Sequence, residues 1–144
     1  MNEAVRAPAH LWIVGGVSML WNAFGAFNYF VTQTRNEAFL AQLSDEQRAF
    51  LENAPAWVDA SWAFGVWGAL AGSLLLLARS RHAVTAFIVS LAGLAVNSLY
   101  QLTLDTPSPH LDTGGQVALH LVIWAVAIGL LVYSFRMRSR GVLR

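Results

Sequence analysis

Residues 57–104 read WVDASWAFGVWGALAGSLLLLARSRHAVTAFIVSLAGLAVNSLYQLTL, two long apolar runs hinged on Arg79-Ser80-Arg81-His82. A helix rising ~1.5 Å per residue needs about 20 apolar residues to cross a ~30 Å hydrocarbon core. The stretch therefore predicts a membrane hairpin with spans at 57–78 and 83–104. Working outward, residues 9–32 and 116–135 have the same character. Of the 144 residues, 56% are hydrophobic and 12% are charged, about half the ~25% charged share of a soluble domain. The expected fold class is all-α, an integral membrane four-helix up-down bundle forming a single domain over residues 1–144. The first run is too long for a cleaved signal peptide, and no small-residue cleavage site of the A-x-A kind follows Thr32.

Between the first two spans, residues 36–53 read as two short amphipathic helices. Phe39, Leu40 and Leu43 form the apolar side of one, and Phe50 and Leu51 that of the other. Ser44-Asp45-Glu46-Gln47 is a capping box, in which the serine and glutamine side chains each satisfy an orphan amide at a helix start. The segment is expected either to lie over the mouth of the bundle as a lid or to serve as an interfacial linker. Pro55 suits the start of the second span, and the link 105–115 is rich in turn formers.

The net charge of +1 hides a strong asymmetry. Arg6, Arg79, Arg81, Arg136, Arg138, Arg140 and Arg144 flank one set of span ends. The opposite links carry only Arg35 and Arg48, beside Glu37, Asp45, Glu46, Glu52, Asp105 and Asp112. Cytoplasmic loops hold the arginine and lysine excess, so both termini and the 79–82 turn are expected in the cytoplasm. The arginine-rich tail can also meet anionic lipid heads.

The chain has no cysteine, which excludes thiol redox chemistry, a thiolate metal site and a c-type haem. Asp105, His110, Asp112 and His120 do not have the spacing of a helical ligand pair. His10 and His120 belong to opposite ends of the spans, too far apart to share a haem. No nucleophile with a nearby base stands out, so an enzyme is not expected. No metal site or nucleic-acid partner is expected either, and no cofactor is identified.

Strongly polar side chains gather in one half of each span, all on the side opposite the arginines. They are Asn22, Asn28 and Tyr29 in the first, Asp59 with Trp62 in the second, Asn97 and Gln101 in the third, and His120 in the fourth. Polar groups within hydrocarbon are costly and face a bundle interior or a wet cavity. These residues are the expected ligand-binding set, in an outward-facing polar pocket. Each also has a purely structural use. The amides can bond each other or backbone carbonyls at about 0.6 kcal/mol per interhelical bond, and Asp59 can complement a helix dipole. His120 can pair with Asp59 or simply pack.

On the first helix Ser18, Asn22, Gly25, Tyr29 and Thr32 share a face, with Asn28 on the neighbouring face beside Trp21 and Phe24. Gly25 would let a second backbone approach. Ser61, Gly65, Gly68 and Gly72 form a small-residue stripe on the second span, and Ser90 and Gly93 continue the pattern on the third.

The block Trp21–Arg35 (WNAFGAFNYFVTQTR), the stretch Trp62–Leu70 (WAFGVWGAL) and the end Asn97–Gln101 resemble a group of small four-helix bacterial inner-membrane proteins loosely labelled sugar transporters. The resemblance runs from about Leu11 to Leu104. It implies a bacterial inner (plasma) membrane location and a sugar as ligand, and it transfers no catalytic residue. That group commonly carries an aspartate where this chain has Asn28, so a charge is lost here.

Two functions follow as expectations. In one, the protein binds or transports a small polar molecule, with a homodimer expected because four helices are few for alternating access; the glycine stripe either supports that dimer or packs the bundle. In the other, it is a non-transporting subunit packed beside a larger membrane complex. In both, the lipid bilayer is its immediate partner.

Overall fold

The computed structural model describes residues 5–103 and 114–144. Among them are six helices and no strand: α1 (Ala9–Gln33), α2 (Glu37–Leu40), α3 (Asp45–Asn53), α4 (Ala56–Leu77), α5 (His82–Leu102) and α6 (Gly114–Ser139). The all-α expectation holds. The link 105–115 and the loop residues Asp105, His110 and Asp112 fall largely or wholly outside the described residues.

Three helices, α4, α5 and α6, are long and apolar enough to cross a membrane. The first helix is as long, at 25 residues, and turns Ile13, Val17, Leu20, Phe24 and Phe27 outward. Its apolar residues are interleaved with His10, Asn22, Asn28 and Gln33, so it is less apolar than the other three.

The long helices pack in chain order, most extensively α4 on α5. The glycine stripe explains why. A Cβ added at Gly93 would lie 2.5 Å from the Ser61 carbonyl oxygen and 2.7 Å from the Gly65 amide nitrogen. At Gly68 it would meet the Ser90 nitrogen at 3.1 Å. The Ser90 hydroxyl uses this proximity to donate to the Gly65 carbonyl at 2.6 Å. The stripe thus packs the bundle within the chain. Gly25 has only the Val66 side chain nearby, at 3.9 Å, so no second backbone approaches there.

Both α1 and α4 end with an arginine in the left-handed region, Arg35 at φ 50° and Arg79 at φ 57°. Each reverses the chain through the paired backbone bonds of a Schellman turn, Asn36 to Val31 and Arg35 to Thr32 in the first, Ser80 to Leu75 and Arg79 to Leu76 in the second. The last helix ends the same way at Gly141, φ 69°.

The tight apolar core sits at the arginine-rich end, where Leu11, Leu76, Phe87, Leu130 and Met137 are buried together with Val142 and Leu143 of the tail. The Arg144 amide donates to the Arg79 carbonyl at 2.8 Å, and the Arg81 amide donates to the Arg144 carbonyl at 2.8 Å. Arg79 also holds the Val142 carbonyl through Nε at 3.2 Å and the Val5 carbonyl through Nη2 at 2.6 Å. The tail therefore folds back onto the helices while Arg136, Arg138, Arg140 and Arg144 stay exposed. His10 and Tyr133 close the same end between α1 and α6, with Nδ1 and the hydroxyl 2.6 Å apart.

Candidate functional site

At the opposite end the polar residues are divided among helix seams. Between α1 and α4, Asn22 is buried and its Nδ2 donates to the Ala69 carbonyl at 3.2 Å and the Ser73 hydroxyl at 2.9 Å. Two turns further along α1, the Tyr29 ring meets Trp62 edge-on at 5.0 Å, with Trp67 at 6.4 Å. Such edge-to-face pairs add about 0.5–1.5 kcal/mol beyond burial. Asn28 lies outside this seam. Half-buried, it donates back to the Phe24 carbonyl of its own helix at 3.1 Å.

Between α4 and α5, Asn97 reaches the Val58 carbonyl at 3.5 Å and accepts from Gln101 Nε2 at 2.8 Å. Gln101 is buried. Between α5 and α6, His120 Nε2 accepts from the Trp124 indole at 3.2 Å and lies 3.3 Å from the Ser98 hydroxyl. An indole N–H can only donate, which fixes Nε2 as the acceptor in that bond. His120 thus bonds to Ser98 and Trp124, and the structure shows no bond between it and Asp59. His10 and His120 stand at opposite ends, as the sequence indicated.

Asp59 instead faces a cleft where α1 ends, α3 passes over and α4 begins. Thr32, Arg35, Arg48, Leu51, Glu52 and Asp59 line it, around about 80 Å³ of free volume.

The cleft owes its shape to the connection. The turn at Arg35 redirects the chain into α2, and the Ser44–Gln47 capping box starts α3 with both reciprocal bonds formed, at 3.2 and 3.0 Å. That start places Arg48 in the first turn of α3, where its Nη2 donates to the Leu40 carbonyl at 2.8 Å. Its Nε is buried with no hydrogen-bond partner in the protein. Across the top, Phe50 of α3 approaches Tyr100 of α5 at 6.1 Å, and Trp57 meets the same ring at 5.3 Å. The amphipathic segment thus lies over the ends of α1, α4 and α5.

Of the eight expected site residues, Asp59 lines the cleft, while Tyr29 and Trp62 pair with each other across the α1–α4 seam. Asn22, Asn97, Gln101 and His120 serve the seams, and Asn28 bonds within its helix. The sequence reading missed Arg35, Arg48, Glu52 and Thr32. Their signal was available: the capping box fixes where α3 begins, and so which residues follow it on the covered side. Among the described residues no cluster of histidines and carboxylates could hold a metal ion.

No protein-family model matches the chain, and no curated protein or solved structure matches it.

Proposed function

We propose that this chain is a four-helix protein of the bacterial inner membrane, with both termini cytoplasmic, that binds or transports a small polar molecule from the outer side. On this reading α1 is the fourth span, long enough at 25 residues and lipid-facing through its exposed aromatic and aliphatic side. The observation that carries the reading is the cleft beneath α3. It gathers charged side chains at the end opposite seven arginines, and pockets with convergent polar groups are where small molecules bind.

A second reading, a non-transporting subunit of a larger complex, draws on α6. Only 11% of its most apolar stretch is buried within the chain, against 22% for α4 and 28% for α5. Such a flank could receive a partner helix as readily as lipid.

Purification with native lipids followed by mass spectrometry, together with uptake by reconstituted vesicles, tests the two. A bound or transported small molecule is expected. A ligand-free chain with no uptake, bound to a stoichiometric helical partner, would establish the second reading instead.

A further inference from the structure

The cleft carries an unusual lining for a sugar site. Arg35 and Arg48 contribute two positive charges, and Glu52 and Asp59 contribute two negative ones. The charges balance, yet among the described residues no ion pair joins them, although they share one small space. Arg48 is committed to the Leu40 carbonyl through Nη2 only, while its buried Nε has no protein partner. A buried donor on a cation without an acceptor is costly, and the carboxylate of half-buried Asp59 makes no hydrogen bond to the described residues. The cleft thus offers an unsatisfied cation and an unsatisfied anion at once.

From this we infer that the cleft takes a small zwitterion of the α-amino-acid type, its carboxylate directed to Arg48 and its ammonium to Asp59. The inference rests on the small-molecule reading above and names the ligand class. A net anion would gain from the arginines but be repelled by Asp59 and Glu52. A neutral polyol would leave both charges uncompensated.

Alanine, lactate and glycerol have equal numbers of heavy atoms and differ in charge, as zwitterion, monoanion and neutral molecule. Binding of each radiolabelled compound, with glucose as a fourth, is measured on the full chain in nanodiscs. Alanine is expected to bind about tenfold more tightly than the others, as one favourable charge contact in a half-open site allows. Asp59→Asn leaves the lining net positive. It should weaken alanine by about tenfold and reverse the order of alanine and lactate, with the unfolding midpoint unchanged. Glu52→Gln supplies a second charge change at an exposed position, with the same direction expected.

Equal binding of glycerol or glucose and alanine overturns the zwitterion inference and leaves a small-molecule site standing. Lactate preferred by the unaltered protein, or indifference to Asp59→Asn, also overturns it. Binding of none of the four overturns it too, and together with the absence of any small molecule from native-lipid preparations removes the site itself.

Discussion

The closeness of α4 and α5 makes a graded prediction from three glycines on one seam. A methyl at Gly93 would sit 2.5 Å from the Ser61 oxygen, and ordinary contact begins near 3.4 Å. The obstacle is backbone on every side, so the helices themselves would have to part by about 0.9 Å. That displacement would stretch the 2.6 Å bond from Ser90 to the Gly65 carbonyl well beyond the roughly 2.5–3.0 Å range of a hydroxyl bond. Overpacking costs about 1–3 kcal/mol, and the lost interhelical bond adds about 0.6. Gly93→Ala is therefore expected to destabilise by roughly 2–3 kcal/mol. At Gly68 the approach is 3.1 Å, again to backbone, and about 1 kcal/mol is expected. At Gly65 the nearest atom is 3.6 Å away, ordinary contact, so alanine should be neutral or gain up to about 1 kcal/mol from helix propensity. Gly129 has nothing within 4 Å, and its alanine variant should gain up to about 1 kcal/mol from helix propensity. Unfolding in mixed micelles, followed by circular dichroism against detergent mole fraction, gives the four values. Gly93→Ala and Gly65→Ala within about 0.5 kcal/mol of each other would refute the close approach.

Other substitutions separate structural from dispensable polar groups. Asn22→Ala should cost about 1–2 kcal/mol in the same assay, because it strips two bonds from the α1–α4 seam. Asn28→Ala, which loses one bond within its own helix, should cost under about 0.5 kcal/mol. Arg79→Ala releases both the tail and the N-terminal arm, so hydrogen exchange at the Arg81 and Arg144 amides should quicken by about tenfold, while α5 interior amides keep their protection. The chain has no cysteine, which makes topology directly readable. In intact cells a membrane-impermeant maleimide should label Ala49→Cys and spare Ser139→Cys, and the opposite pattern would invert the proposed orientation.

The helix limits were legible because apolar length is a local property. Each long helix was anticipated to within a few residues, and the capping box was read as it forms. The expected end at residue 135 fell short of Ser139, since arginine is a good helix former and a charge alone does not stop a helix. The buried face of α1 also followed from periodicity, with Ser18, Asn22 and Thr32 buried. Asn28, set one face aside with Trp21 and Phe24, points away as its angle requires. What escaped were non-local choices. Nothing in Val142-Leu143 announces that a tail after three arginines turns back to complete the core, nor does any single segment reveal that Arg48 and Asp59 line one cleft. The polar side chains of four spans could share a pocket or pair across seams, and the backbone spacing decided for the seams. The glycines draw α4 and α5 so close that Asn97 meets a carbonyl of α4 before it meets open space.

The cleft lies where the helices stop and the connection begins, which makes α3 the element that covers it. The capping box should accordingly control the cleft without controlling the bundle. Ser44→Ala removes the acceptor for the Gln47 amide, 3.2 Å away, at a cost of about 1 kcal/mol to the local helix. That energy corresponds to about a fivefold rise in opening, which hydrogen exchange should report at residues 47–53 while the α4–α5 amides remain protected. Since α3 also carries Arg48 and Glu52, the same substitution should weaken binding of a cleft ligand by up to the same factor. Equal loss of protection in α3 and α4 would show that the cover and the bundle open together, and α3 could not then act as an independent cover.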